Sequence, residues 1–250
     1  MKAATSIPEV LAQQQAIIEW AILHQSRVGY FAVLYQKMTL AVQQAIVAAQ
    51  FEDNCRMEKL IIHFANYYLQ AWNGYLQKRP ICNAWHNVLD ACENKQLIVL
   101  QHLILGINTH INLDLAKAAV QTSPGESLHD LKNDFEKIND IIATLAQQVQ
   151  TGLEKIWWPL KLLTDITNNR HKAVLNFSIS NARKTSWANA MALSLVQGAM
   201  KENHILLMEK MVIAITKKMI SPGGLTVFLL KPVLWMEPKE VSKVMYILQD

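Results

Sequence analysis

The sequence has few charged residues and no long uninterrupted apolar run. Only 18% of its 250 residues are Asp, Glu, Lys or Arg, whereas 51% are hydrophobic. Such a composition predicts that much of the chain is buried. No stretch of about 18 apolar residues is free of charges, so no membrane-spanning helix is predicted. Residues 225–236 come nearest, but Lys231 and Pro232 interrupt them.

Cysteine is scarce too, and the basic residues are dispersed. Cys55, Cys82 and Cys92 form no CxxC pair, and an odd number of cysteines argues against a disulfide framework. A reducing, cytoplasmic location is therefore expected, and the N-terminal residues lack the apolar core of a signal peptide. The net charge is only +4, without a basic cluster, so no nucleic-acid surface is predicted.

Helical signals dominate the sequence, and neither a linker nor an internal repeat divides it. Pro8 suits the first turn of a helix, and Ser-Pro-Gly-Glu at 123–126 predicts another helix start. Ser-Pro-Gly-Gly at 221–224 predicts a stop, and Trp-Trp-Pro at 157–159 predicts a break. We predict an all-α, single-domain helical bundle over residues 1–250, with about seven to nine helices around a buried polar central helix.

The segment 97–120 is the predicted central helix. Apolar residues cover both sides of its helical wheel, which is typical of a helix in the middle of a bundle. The same segment nevertheless carries seven polar side chains before Lys117: Gln101, His102, Asn108, Thr109, His110, Asn112 and Asp114. Because each buried polar group without a partner costs about 1–3 kcal/mol, this concentration predicts a hydrogen-bonded network, a ligand site or a metal site.

Spacing along this helix limits the chemistry. His110 and Asp114 lie one turn apart, about 6 Å along the axis, and can share a metal ion. His102 precedes His110 by about 12 Å, so it is interpreted as a separate acid, base or second-site ligand. Gly106, between the two histidines, leaves space beside the backbone. The polar residues at 108, 110, 112 and 114 also alternate as in a strand, and that alternative stays open.

Two further side chains are candidates on later helices. Asp134 falls within the apolar arc of its helix, so it can complete a metal site or orient an imidazole. A capping or structural ion-pair role is its alternative. Arg183 and Trp187 lie one turn apart and can hold an anion or simply stack, and stacking is the favoured interpretation.

The segments HFANYYLQAW, LQHLILGINTHINLDL and DFEKINDII resemble a bacterial all-helical family defined only as a domain of unknown function. The resemblance spans residues 58–142, and its signature is LQHLxLGxNxHINxDL. It implies ten shared positions: Asn66, His102, Gly106, Asn108, His110, Asn112, Asp114, Asp134, Asn139 and Asp140. A weaker likeness links the HxxxD pair to helical zinc phosphoesterases, but those enzymes use an N-terminal Trp that this chain lacks.

Three functions fit these observations, and the sequence leaves open whether the chain is an enzyme. The first is a metal-assisted hydrolase in which zinc, manganese or iron is held by His110, Asp114 and Asp134. In that hypothesis the catalytic residues are His102, Asn108, Asn112 and Asp114. The residues assigned to substrate binding are Asn66, Gly106 and Asn139.

The second function needs no metal. In it, the polar groups orient a partly apolar small molecule in a helical pocket or exchange protons with it, in an enzyme or a binding protein. The third is a non-enzymatic helical module whose polar core only sets the helix register. Metal content separates the first function from the other two.

Overall fold

The structure, a computed structural model, describes residues 2–156 and 170–249. Within these ranges every regular element is helical and no strand occurs, which confirms the predicted all-α fold. The predicted break at 157–159 lies outside the described residues. None of the described helices is both long and apolar enough to cross a membrane.

Within residues 2–156 and within residues 170–249, short connections join successive helices. The first four are α1 (Ile7–His24), α2 (Val28–Val47), α3 (Asn54–Leu76) and α4 (Asn83–Ala91). The central three are α5 (Val99–Thr109), a π-helical turn (His110–Asp114) and α6 (Leu115–Thr122). The rest are a 3-10 turn (Gly125–Leu131), α7 (Lys132–Ile156), α8 (Arg170–Leu195), α9 (Gly198–Ile220), α10 (Gly224–Met236) and α11 (Val241–Gln249). With α5 to α6 taken as one, the described residues form ten helices, close to the predicted number.

Capping residues explain where several helices begin. Ser6 caps α1 by accepting a hydrogen bond from the backbone N–H of Glu9 at 3.3 Å. Asp53 caps α3 in the same way, through the N–H of Arg56 at 2.9 Å. The predicted start after Ser123 is different, because Gly125 adopts a left-handed φ of 62° and a 3-10 turn separates it from α7.

The central helix is continuous from α5 through the π-turn to α6, so the strand alternative for this segment is wrong. Every residue from 97 to 120 is buried or half-buried, as a helix in the middle of the bundle requires. This helix packs against α2, α3, α4, α8 and α9. The polar side chains that it carries are therefore placed between helices rather than in solvent.

Candidate functional site

The π-turn carries a histidine–carboxylate pair at the centre of the bundle. His110 Nδ1 lies 3.0 Å from Asp114 Oδ2, and both residues are almost fully buried. The indole N–H of Trp85 donates to the same Oδ2 at 2.8 Å, and Lys117 Nζ donates to Oδ1 at 3.4 Å. These three donors compensate for the burial of the Asp114 carboxylate. Turns of this π type recur at functional sites in other proteins.

This contact determines the role of each nitrogen in the His110 ring. A carboxylate only accepts hydrogen bonds, so Nδ1 carries the proton that is donated to Asp114. Burial lowers the pKa of His110, and Asp114 opposes that shift only in part. The ring is therefore neutral near pH 7, and its Nε2 is an acceptor. Nε2 is buried and has no hydrogen-bond partner in the described part of the chain.

Aromatic rings from α2, α3 and α4 surround His110. Phe64 stacks on the imidazole with a centroid separation of 3.6 Å and an interplanar angle of 7°. Tyr35 meets it nearly perpendicularly, with the centroids 4.5 Å apart. Phe31, Tyr68 and Trp85 complete the ring cluster at centroid distances of 5.9, 6.1 and 5.9 Å. These contacts fix the ring plane and keep water from His110.

A cavity of about 120 Å³ opens beside this cluster. Its walls come from α2, α3, the central helix, α7 and α8, and they are almost entirely apolar. Three polar side chains contribute to the lining: Tyr35, His110 and Arg183. An engineered apolar cavity of about 150 Å³ is large enough to bind benzene, so the space beside His110 suits a small apolar group.

Apart from His110, the central helix turns apolar residues toward this cavity and its polar residues away from it. Ile107 and Ile111 line the cavity and are only half-buried. Asn108, Asn112 and Asp114 are buried more deeply, and Asn108 and Asp114 contact neighbouring helices. Leu103, Leu105 and Leu113 of the same helix are almost fully buried as well, so the helix is buried on its polar and apolar sides alike.

Asn108 and Asn112 form a hydrogen-bonded link to α9. Asn112 Nδ2 donates to Asn108 Oδ1 at 3.0 Å, and Asn108 Nδ2 donates to Thr216 Oγ1 at 3.3 Å. Gln101 Nε2 extends the link by donating to the carbonyl of Met219 at 2.8 Å. The two asparagines, predicted as catalytic, therefore bind α9 to the central helix and do not line the cavity.

His102 lies apart from the His110 cavity. It is 4% exposed, and its ring meets the ring of Tyr30 edge-on at a centroid distance of 5.8 Å. Burial, reinforced by the positive charge of Arg27, lowers the pKa of His102 to about 3. The backbone of Leu97 opposes this shift only in part, and neither ring nitrogen makes a well-formed hydrogen bond with a described residue. The structure does not bring the side chain of His102, predicted as an acid or base, into contact with the His110–Asp114 pair.

Asp134 holds the start of α3. Its two carboxylate oxygens accept from the backbone N–H groups of Glu52 at 2.7 Å and Asp53 at 3.0 Å. This is the capping alternative that the sequence left open. Among the described residues, no three or more His, Cys, Asp or Glu side chains are grouped as metal ligands. The predicted ligands His110, Asp114 and Asp134 are therefore not assembled as one set in this part of the chain.

The three residues predicted to bind substrate have other contacts. Asn66 holds the N-terminal segment, since its amide donates to the carbonyl of Ala4 and accepts from its N–H, both at 2.8 Å. Gly106 lies against the ring of Phe31, which would overlap with any Cβ. Asn139 accepts from Arg183 Nε at 2.7 Å and so positions a side chain of the cavity lining.

Sequence reasoning missed the aromatic residues around His110. Phe31 and Tyr35 lie one turn apart on α2, as do Phe64 and Tyr68 on α3. Two such pairs on weakly charged helices are a usable signal of an aromatic cluster.

The sequence favours stacking of Arg183 on Trp187. Arg183 stacks instead on Phe135, with the guanidinium 4.3 Å from the ring centroid.

Residues 7–222 match a family of unknown function, DUF5995. The chain belongs to this family. The match confirms the resemblance that residues 58–142 predicted, and it extends to most of the helices of this DUF5995 protein. No curated protein and no solved structure matches the chain. Its function must therefore be inferred from the site itself.

Proposed function

We propose that this protein binds a partly apolar small molecule in the cavity beside His110, and that His110 Nε2 accepts a hydrogen bond or a proton from it. One observation carries the proposal. His110 lines the apolar cavity, and because Asp114 occupies its Nδ1, Nε2 is left as a buried basic nitrogen without a partner among the described residues. A buried acceptor without a partner costs about 1–3 kcal/mol, and a bound donor removes that cost.

The surroundings of His110 also suit proton transfer. A base must be unprotonated before it reacts, and burial keeps His110 neutral by lowering its pKa. When Nε2 takes a proton, the ring becomes positively charged, and the Asp114 carboxylate at 3.0 Å stabilises that charge. The pair can therefore act as a general base toward a ligand with an acidic or hydroxyl proton. This arrangement of His110 and Asp114 is compatible both with an enzyme and with a binding protein.

The metal-assisted hydrolase stays a prediction. The arrangement of the side chains gives it less support, since His110 and Asp114 bind each other and Asp134 binds backbone N–H groups. A reducing, cytoplasmic location also stays a prediction, and it is supported by three cysteines in the free state: Cys55, Cys82 and Cys92.

Calorimetric titration with octanol, an apolar molecule with one hydroxyl donor, tests the proposal. Ile142 lines the cavity on α7, whereas its neighbour Ile141 is equally half-buried but does not. Ile142→Trp is expected to fill the cavity and abolish binding, and Ile141→Trp is expected to retain it. Equal binding by all three proteins would show that octanol binds elsewhere. No binding to the wild type would overturn the proposal.

A further inference from the structure

Arg183 is a buried cation in the wall of the cavity. It projects from α8, is 4% exposed, and lines the cavity together with Ile138, Ile142 and Ile179. A charged group in apolar surroundings is costly unless an opposite charge accompanies it. The partners of the guanidinium therefore decide whether the protein itself neutralises this charge.

All the described partners of Arg183 are neutral. Nε donates to the side-chain oxygen of Asn139 at 2.7 Å, and Nη2 donates to the backbone carbonyl of Phe135. The ring of Phe135 lies against the guanidinium. These contacts satisfy two of its five N–H donors and fix its orientation.

No carboxylate pairs with Arg183 among the described residues. Glu136 acts on it only at longer range, since its carboxylate forms an ion pair with Lys132 at 2.6 Å and is 57% exposed. Burial lowers the pKa of Arg183 to about 9, so the side chain remains protonated at neutral pH. The cavity therefore carries one positive charge for which the described residues supply no counter-ion.

A second residue of the cavity lining, Tyr35, carries a hydrogen-bond donor. The hydroxyl of Tyr35 is buried and has no hydrogen-bond partner in the described ranges. Burial keeps this hydroxyl protonated by raising its pKa well above the usual value. A guanidinium and a hydroxyl are donors, so the polar groups of the lining outside His110 favour a ligand with acceptor oxygens.

We infer that the natural ligand of this cavity is an apolar hydroxy acid: Arg183 binds its carboxylate, its hydroxyl donates to His110 Nε2, and the apolar walls bind its hydrocarbon part. The inference rests on the proposed function, because it names the class of ligand for the same cavity. A single guanidinium balances one negative charge and matches a carboxylate with two parallel hydrogen bonds. A doubly charged phosphate would keep a second, uncompensated charge among apolar side chains.

Octanoate and octanol, which share a chain length and differ in the head group, test this inference in calorimetric titrations near pH 7.5. We expect the wild type to bind octanoate more tightly than octanol by about ten- to a hundredfold, the range of a charge-assisted hydrogen bond. Arg183→Met is expected to remove this preference, so that the variant binds octanol at least as tightly as octanoate. Arg183→Lys should retain part of the preference, because it keeps the charge but loses the fork geometry.

Lys184→Met is the matched control, since it removes the same charge from the exposed neighbouring residue. It is expected to bind both ligands as the wild type does. If the wild type binds octanol at least as tightly as octanoate, the inference is overturned and the proposed function survives. If neither ligand binds, both fail. If Arg183→Met does not fold, the affinities of the wild type for octanoate and octanol still test the inference.

Discussion

The Asp114 carboxylate holds His110 through Nδ1, and so determines which nitrogen of the ring is the base. Two neighbouring charges act on the ring with opposite signs. Burial is the largest effect and lowers the pKa of His110. The charge of Asp114 raises this pKa, and the charge of Lys117 lowers it. Because these effects come from different side chains, substitution can separate them.

We expect Asp114→Asn to lower the pKa of His110 further and Lys117→Met to raise it. The asparagine keeps the shape and the accepting oxygen but removes the negative charge, and the methionine removes the positive charge. Nitrogen-15 NMR titration of labelled histidine measures both shifts and should find the free Nε2 unprotonated near neutral pH. Shifts of the same sign in the two variants would contradict this description of the pair.

Gly106→Ala should destabilise the protein by about 1–3 kcal/mol, because the added methyl group displaces the ring of Phe31 in a packed core. Urea denaturation measures this change in the free energy of unfolding. Gly224→Ala is the control, since among the described residues no neighbouring element lies within 4 Å of its added Cβ. It should be neutral or stabilising by less than about 1 kcal/mol. Equal effects of the two substitutions would mean that Phe31 does not pack against Gly106.

His102 should make the protein sensitive to acid. Its folded pKa, about 3, lies below the usual 6.5 of the unfolded chain. The unfolded state therefore binds the proton first, and stability that is complete above pH 6.5 is lost as the pH falls. At pH 5 the loss from this one group amounts to about 2 kcal/mol. His110 shifts stability in the same direction.

Unfolding of His102→Gln at several pH values between 7 and 5 checks this expectation. The variant should lose less stability than the wild type over that interval, whatever its stability at pH 7. His129→Gln, at an exposed histidine, should keep the pH dependence of the wild type. A His102→Gln variant with the wild-type slope would show that folding does not lower the pKa of His102.

Asp134→Ala should cost about 1–3 kcal/mol of stability, since two backbone N–H groups at the start of α3 lose their acceptor. Asp140→Ala, at an exposed position on the same helix, should change stability by less than about 0.5 kcal/mol. The metal content of protein purified without a His tag should be equal in both variants. Loss of a stoichiometric metal in Asp134→Ala alone would favour the metal-assisted hydrolase.

The all-α fold and the buried central helix could be predicted from the sequence because both depend on local signals. The periodicity of residues 97–120 and the stop at 221–224 act within a few turns of the chain, and the structure confirms both. The proximity of His110 and Asp114 could be predicted for the same reason, since one helical turn separates the two residues.

The cavity could not be predicted, because its walls come from helices far apart in the sequence. Arg183 and Phe64 line the same space although more than a hundred residues separate them. Nor does the helical wheel distinguish a polar residue that binds a neighbouring helix, such as Asn108, from one that lines a cavity, such as His110. Asp134 was placed correctly on an inward face, but its partners lie at the start of α3.

The most direct test is the nitrogen-15 NMR spectrum of histidine-labelled wild-type protein during titration with octanol. We predict that the Nε2 resonance of His110 moves as the ligand saturates, because the hydroxyl donates to that nitrogen, while the resonances of His102 stay in place. Ile142→Trp should abolish the shift. Octanol that binds without moving the Nε2 resonance of His110, or that moves it equally in Ile142→Trp, would contradict the proposed role of this nitrogen.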